Sequence, residues 1–292
     1  IGTLSGVVAT VGGGLANNAT GIGKGEIADD LIGVEVVHSD GRVARTGGLA
    51  TECAVPLLRH FGPDLTGLFV HDAGAFGIKT RATFKLVRKP RGIAFASFGF
   101  HDRHKLVSAM CECGRLEVAT ELLGFERYHH EQFATENRPT REEAQAVLRE
   151  IMHLSSSKLR GIRNILSIMR PGGIGFIRKY HFSLHAVVEG FTQGAADRGI
   201  AAIRRIAKHQ GGTPLPSTLI MGFRANPFQP VRRLIQGMKG ACSFPSNCSV
   251  PFSRSQEYVA ELGAFFKDHE AVMKELGMNY TILYIIVKGM FG

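Results

Sequence analysis

The chain of 292 residues is long enough for about two domains, and its 44% hydrophobic and 21% charged residues are ordinary for a globular protein. This composition excludes a disordered chain, a collagen and a coiled coil, and no apolar run reaches the roughly 18 residues that span a bilayer. The net charge of +10 is compatible with nucleic acid, anionic lipid or acidic metabolites as partners. We discount nucleic acid, because the basic residues are scattered and no zinc-finger, basic-zipper or RNP-type pattern is present.

The cysteines indicate reduced thiols. There are five, an odd number, and Cys111 and Cys113 have one residue between them, which is tighter than the two-residue spacing of zinc and redox motifs. We therefore predict no metal site and a cytoplasmic protein. The sequence starts within a glycine-rich stretch and stops just after an apolar strand, so we expect a piece of a longer chain.

The first ninety residues are predicted to form short strands and turns. Residues 7–11 are small and β-prone, and the glycines at 12–14 predict a loop. Residues 32–38 and 42–46 predict a hairpin around Asp40-Gly41. Residues 78–87 alternate as a strand with Ala82, Phe84 and Leu86 on one face.

From residue 91 onward, strands and helices alternate. Strands are predicted at residues 93–100, 119–124, 180–189 and 281–287. Helices are predicted at residues 103–114, 140–155, 193–210 and 254–276. This rhythm predicts an α+β domain, in which an open antiparallel sheet carries its helices on one face.

Two glycine-rich segments are the strongest local motifs. Residues 2–14 (GTLSGVVATVGGG) allow close approach of a ligand to bare backbone, whose N–H groups can bind an anion or a carbonyl oxygen. The segment lacks a P-loop ending and is expected to have no helix directly after it, so the Walker and Rossmann interpretations fail. In residues 62–80 (GPDLTGLFVHDAGAFGIKT), Gly74 and Gly77 frame a tight passage before a strand. Taken singly, each segment is also compatible with a turn that binds nothing.

In this order, the two segments resemble the vanillyl-alcohol-oxidase or p-cresol-methylhydroxylase (PCMH) type of FAD-linked oxidases. That family has a segment like Gly-x-x-x-x-Thr-x-x-Gly-Gly, then a hairpin like residues 34–43 (VEVVHSDGRV), then a motif like residues 64–80. The sequence is most similar to the D-lactate dehydrogenase and glycolate oxidase branch.

The resemblance implies the fold and the cofactor. Residues 1–90 would be the C-terminal part of a PCMH-type FAD-binding domain, and residues 91–292 an incomplete ferredoxin-like cap domain with an antiparallel sheet. The residues implied to line FAD are Thr3, Gly6, Ala9, Thr10, Val11, Gly12, His71, Asp72, Ala73, Gly74, Ala75, Phe76, Gly77 and Ile78. One departure stands out: the family's Gly-Ser-Glu-Gly is replaced by His71-Asp72-Ala73-Gly74.

The implied activity is oxidation of a small 2-hydroxy acid, such as D-lactate or glycolate, with a hydride passed to the flavin. The electron acceptor and the catalytic base are not identified by the sequence. Three alternatives stay open: a phenol oxidase, an ether-lipid synthase of the same fold, and a non-catalytic piece that does not hold FAD. Attachment to a membrane surface and homo-oligomerisation also stay open.

Other residues with suitable chemistry are interpreted as structural. The histidine clusters considered are His129 with His130 and His181 with His185, and the second pair lacks a carboxylate or cysteine partner for a metal nearby in the sequence. A carboxylate substrate would suit arginine, lysine and tyrosine side chains, and the residues considered are Tyr128, Arg178, Lys179, Tyr180 and Arg224. Each of these is interpreted as a surface residue.

Overall fold

The chain was studied as a computed structural model that describes residues 9–21, 25–51, 58–60, 62–129, 141–155, 157–169, 179–225, 246, 248–287 and 289–292. It divides into two compact units, Ile1–Lys89 (unit 1) and Pro90–Gly292 (unit 2). Each unit has a hydrophobic core of its own. Every helix in the described ranges is too short or too polar to cross a bilayer.

Unit 1 is built on a small antiparallel sheet. Its helix and strands are α1 (Val11–Ala16), β1 (Thr20–Gly21), β2 (Gly25–Glu26), β3 (Leu31–Val37), β4 (Val43–Arg45) and β5 (Ile78–Phe84). β1 pairs with β2, and the three longer strands have the order β4–β3–β5. Three 3₁₀ turns, Ile27–Asp30, Gly47–Ala50 and Thr66–Phe69, connect these elements.

The hairpin and one face of the sheet follow the sequence pattern. β3 and β4 are joined by the predicted turn, where His38 N donates to Arg42 O over 2.9 Å and Gly41 takes a φ of 84°. Leu31, Val34 and Val36 of β3 enter a core with Leu15 and Ile27, and a register irregularity between Leu31 and Gly33 interrupts the alternation of the strand. The prediction that Leu86 shares the inner face of β5 was wrong, because β5 ends at Phe84 and Leu86 is 90% exposed.

Unit 2 has a longer sheet with helices between its strands. Its elements are β6 (Gly92–Phe100), α2 (Arg103–Arg115), β7 (Glu121–Glu126), α3 (Arg141–Leu154), α4 (Lys158–Met169), β8 (Phe182–Gly190), α5 (Gln193–His209), β9 (Thr213–Leu215), α6 (Thr218–Ala225), β10 (Val250–Pro251), α7 (Ser255–Asp268), α8 (Glu270–Glu275), β11 (Tyr284–Val287) and β12 (Met290–Phe291). The sheet order is β10–β12–β11–β7–β8–β6–β9, and every pair is antiparallel. The inner order β7–β8–β6–β9, with α2 and α5 as connections, is the ferredoxin-like arrangement.

Helix α2 shows how the sequence pattern places the core of unit 2. Asp102 caps its first turn by accepting from Lys105 N over 3.1 Å. The apolar positions predicted from helical spacing, Leu106, Val107, Met110 and Cys113, are all fully buried. These side chains join the core that α2 and α5 form on one face of the sheet.

The prediction of helices on only one face of this sheet was wrong. On the other face, Phe223 of α6 stacks on Phe125 of β7 with ring centroids 5.5 Å apart. The physical reason is visible in β8, whose residues 183–188 are buried without alternation. A strand that is buried on both sides needs cover on both faces.

The prediction of one continuous helix over residues 254–276 was also wrong. It is two helices, α7 and α8, that meet at His269. The backbone there has φ −100° and ψ 7°, and His269 Nδ1 lies 2.8 Å from Phe265 O. Phe265 O also accepts from His269 N over 3.2 Å, so the side chain and the main chain of His269 share one carbonyl where the two helices meet.

Candidate functional site

Unit 1 brings the two predicted cofactor segments together. His71 N donates to Leu15 O and Ala73 N donates to Ala16 O, each over 2.9 Å. The loop of residues 71–77 is thereby fixed to the end of α1. We call residues 9–12 together with residues 71–78 the loop–helix face. Two further residues implied to line FAD, Thr3 and Gly6, lie outside the described residues.

The glycine-rich segment forms a helix, so the predicted loop at residues 12–14 was wrong. Thr10 is the N-cap, and its Oγ1 accepts from Gly13 N over 3.0 Å. This cap offsets part of the low helix propensity of glycine. The glycines also allow close packing, because a Cβ at Gly12 would lie 3.1 Å from the carbonyl oxygen of Lys79.

The loop of residues 71–77 has an unusual backbone. His71, Ala73, Gly74 and Gly77 all have positive φ, at 60°, 50°, 83° and 127°. Side-chain-bearing residues rarely adopt this region, and such residues cluster at active sites and ligand clamps. The conformation supports the hypothesis that this loop has a binding role.

Asp72 organises the loop from inside. Its carboxylate accepts from Gly74 N over 3.1 Å and Phe76 N over 3.2 Å, and it forms an ion pair with Lys79. Both side chains are buried, with exposures of 1% for Asp72 and 3% for Lys79. Burial raises the pKa of Asp72, but the hydrogen bonds from Lys79 and the two amides outweigh it, and the pKa lies below its usual value.

The departure from the family motif at Asp72 is therefore structural, and sequence reasoning missed its partner. Lys79 lies in β5, seven residues after Asp72. A helix would separate two residues at this spacing by about 10 Å along its axis, and a strand would point them to opposite faces. The pairing depends on the reversal of the chain at the positive-φ residues.

The exposed chemistry of the loop–helix face suits a flat aromatic group with polar edges. Val11, Phe76 and Ile78 are all at least half exposed. Beside them lie the Thr10 hydroxyl, the His71 imidazole and the exposed backbone of residues 73–75. The charges of Asp72 and Lys79 are turned inward onto each other. The amides of residues 73–77 all donate within unit 1, so the face offers a flavin ring apolar contacts, and the Thr10 hydroxyl and the His71 imidazole offer it hydrogen bonds. On these groups the residues present fit FAD.

Two of the histidines considered as metal ligands, His129 and His185, are buried in unit 2. His185 is fully buried and lies 2.8 Å from both Ser97 Oγ and Ser183 Oγ, and burial lowers its pKa to about 3. His129 is also buried, which lowers its pKa to about 4. His181 precedes β8 and is exposed, and His130 lies outside the described residues. No group of three metal-ligating side chains occurs within the described part of the chain.

The residues considered for a carboxylate substrate have internal partners where the structure describes them. Arg224 of α6 forms ion pairs with Glu121 of β7 and Glu189 of β8, so its interpretation as a surface residue was wrong. The same interpretation was wrong for Tyr180, whose ring is buried over Gly99. Lys179 is exposed, with Nζ 5.9 Å from the centre of that ring. Tyr128 is partly buried, and Arg178 lies outside the described residues.

No family model matches the chain. Over 87 residues it is 42% identical to the glycolate oxidase subunit GlcD of Bacillus subtilis (strain 168). The matched region covers 28% of this chain and 17% of that protein. Among solved structures, it is similar to a 4-ethylphenol oxidase from Gulosibacter chungangensis, with a TM-score of 0.67, 16% identity, and coverage of 97% of this chain and 54% of that one. An alkyldihydroxyacetonephosphate synthase gives a TM-score of 0.62 and 17% identity over 99% of this chain and 49% of the synthase.

A p-cresol methylhydroxylase with substrate bound also matches, with a TM-score of 0.56 and 17% identity over 94% of this chain and 52% of that one. The chain has the fold of the PCMH type of FAD-linked oxidases. The α+β fold class and the resemblance stated from the sequence are thus confirmed, and FAD is the cofactor of this fold. The chain spans about half the length of these PCMH-type structures and 17% of the curated relative.

Gly77, the last residue of the loop before β5, allows a test of whether the loop backbone is fixed. Gly77→Ala should destabilise unit 1 by at least about 2 kcal/mol, because φ is 127° there and a Cβ would lie 2.4 Å from Val37 O. The matched control is Gly41→Ala, which has a φ of 84° and nothing within 4 Å of its Cβ.

Tryptophan emission can follow this unfolding. The chain has no tryptophan and its first tyrosine is Tyr128, so a Phe69→Trp background gives a probe for unit 1 alone. We expect the urea midpoint to fall further for Gly77→Ala than for Gly41→Ala. Equal midpoints would contradict the clash with β3.

Proposed function

We propose that this chain is part of an FAD-dependent oxidoreductase that oxidises a small 2-hydroxy acid, such as glycolate or D-lactate. We infer the substrate class from the 42% identity with the glycolate oxidase subunit. The phenol-oxidising and ether-lipid-type neighbours are only 16% to 17% identical. In this proposal, residues 1–90 are the C-terminal part of the FAD-binding domain and residues 91–292 are the cap.

The residues proposed to hold the cofactor are those of the loop–helix face, with Thr3 and Gly6 before it. FAD supplies the oxidising chemistry, because its ring accepts the hydride equivalent that leaves the alcohol carbon. Thr10 fixes the first turn of α1, so that its neighbouring backbone is held in place. Asp72 and Lys79 hold the loop backbone against α1, and Val11, Phe76 and Ile78 exclude water from the ring.

The proposal is tested by reduction of the flavin. We expect the full-length natural protein to be purified with a visible flavin band, and glycolate or D-lactate to bleach that band in the absence of oxygen. Bleaching by 4-ethylphenol and not by the acids would favour the phenol-oxidase alternative.

A second pair of outcomes separates the remaining alternatives. A retained flavin that neither class of substrate bleaches would favour a synthase without net oxidation, which the match over 99% of this chain to alkyldihydroxyacetonephosphate synthase supports. No retained flavin, with none bound after FAD is added and dialysed away, would support the non-catalytic alternative. The relative is named as a subunit, and we propose that this chain also works with partner chains, one of which accepts the electrons.

A further inference from the structure

Helix α4 in unit 2 carries an apolar row on its outside. Leu159, Ile162 and Leu166 are 82%, 50% and 55% exposed. At 100° per residue, these three positions fall within an arc of about 60°. Gly161 lies on the opposite side of the helix and is buried, and a Cβ there would meet Met152 Sδ of α3 at 2.6 Å. The apolar row therefore points away from the surface by which α4 packs.

The chain segment that contains this row is basic. No aspartate or glutamate occurs between Glu150 and Glu189, and six cationic residues lie in the same interval, namely Lys158, Arg160, Arg163, Arg170, Arg178 and Lys179. Lys158 and Arg163 of α4 are exposed. Arg163 follows Leu159 by four residues, so it lies about 40° from it around the helix. An exposed apolar row with cations at its border is the pattern of a helix that lies in the surface of an anionic membrane.

We propose that α4 docks unit 2 onto the surface of an anionic phospholipid bilayer. The three apolar side chains would enter the boundary between headgroups and acyl chains, and Lys158 and Arg163 would contact the lipid phosphates. With its twelve residues, α4 is too short to span a bilayer, which needs about 20, so the attachment is peripheral. Charge complementarity selects the lipid surface as the occupant. The proposal does not depend on the flavin chemistry, because no residue of the loop–helix face takes part.

The test is co-sedimentation of the full chain with vesicles of equimolar phosphatidylglycerol and phosphatidylcholine. We expect binding to these vesicles and none to pure phosphatidylcholine. Replacing the three apolar residues together, Leu159→Ser, Ile162→Ser and Leu166→Ser, should lower the partition coefficient about tenfold or more. Binding should also weaken as salt shortens the Debye length to about 3 Å near 1 M.

Two further variants make the result decisive. The matched control is Val272→Ser with Leu276→Ser and Met278→Ser, which removes three exposed apolar side chains of the same unit and should leave vesicle binding unchanged. Lys158→Gln with Arg163→Gln leaves the apolar row intact and should still lower binding about tenfold. Circular dichroism checks that each variant is folded.

Three experimental outcomes would contradict membrane docking by α4. Absence of binding to the anionic vesicles, or equal losses in the apolar variant and the matched control, would overturn the proposal. Self-association of the chain that the three serine substitutions abolish, without vesicle binding, would show that a second copy covers this helix face.

Discussion

Asp72→Asn is expected to destabilise unit 1 by about 3–5 kcal/mol, because it leaves the buried ammonium of Lys79 without its counter-charge. The amides of Gly74 and Phe76 would lose the charged acceptor that they share, so the loop–helix face would lose its fixed backbone as well. Tryptophan emission in the Phe69→Trp background measures the stability, and retention of added FAD after dialysis measures the consequence for the proposed site.

Two controls separate the buried pair from a general charge effect. Asp72→Asn combined with Lys79→Met removes both members of the pair, so much of the lost stability should return. Asp40→Asn breaks an exposed pair with Arg42 and should leave the urea midpoint where it was. If Asp72→Asn were as stable as Asp40→Asn, Asp72 would not be the residue that organises the loop.

Acid should selectively weaken unit 2. An unfolded histidine takes up a proton near pH 6.5, whereas burial lowers the pKa of His129 to about 4 and of His185 to about 3 in the folded state. Between pH 6.5 and about 4, the unfolded chain therefore binds more protons, and stability falls as the pH falls. The two histidines together contribute a slope of about 3 kcal/mol per pH unit.

Tyrosine emission during urea unfolding measures this slope for unit 2 alone, since all five tyrosines lie between Tyr128 and Tyr284. His185→Gln should lower stability at neutral pH and remove about half of the slope. His101→Gln replaces an exposed histidine and should leave the slope unchanged. An unaltered slope in His185→Gln would show that His185 is not the group that titrates on unfolding.

Elements with strong local signals were predictable from the sequence. Helix α2 has a capping aspartate and apolar residues at helical spacing, and the β3–β4 hairpin has an Asp-Gly turn between alternating strands. The α1 helix was not predictable in this way. Its three glycines favour loops locally, and the helix depends on the Thr10 cap and on the packing of Gly12 against Lys79 and of Gly14 against Ile27.

Only part of the candidate site could be predicted from the sequence. Motif resemblance selected residues 9–12 and 71–78, and the structure brings these two segments together. The internal pair of Asp72 and Lys79 could not be predicted, because a charged residue in a glycine-containing loop is normally expected to be exposed. The polar cluster around His185 was hidden for a different reason, since Ser97 lies 88 residues away from it in the chain.

The two outer strands of the sheet in unit 2 have a consequence for handling this protein at high concentration. One edge is β10, two residues long and ending in Pro251, and the other is β9, three residues long with Pro214 at its centre. Proline has no N–H to offer to an incoming strand, and so short an edge gives little length for pairing. Edge-to-edge aggregation should therefore not start from β9 or β10, even when purified molecules are crowded together.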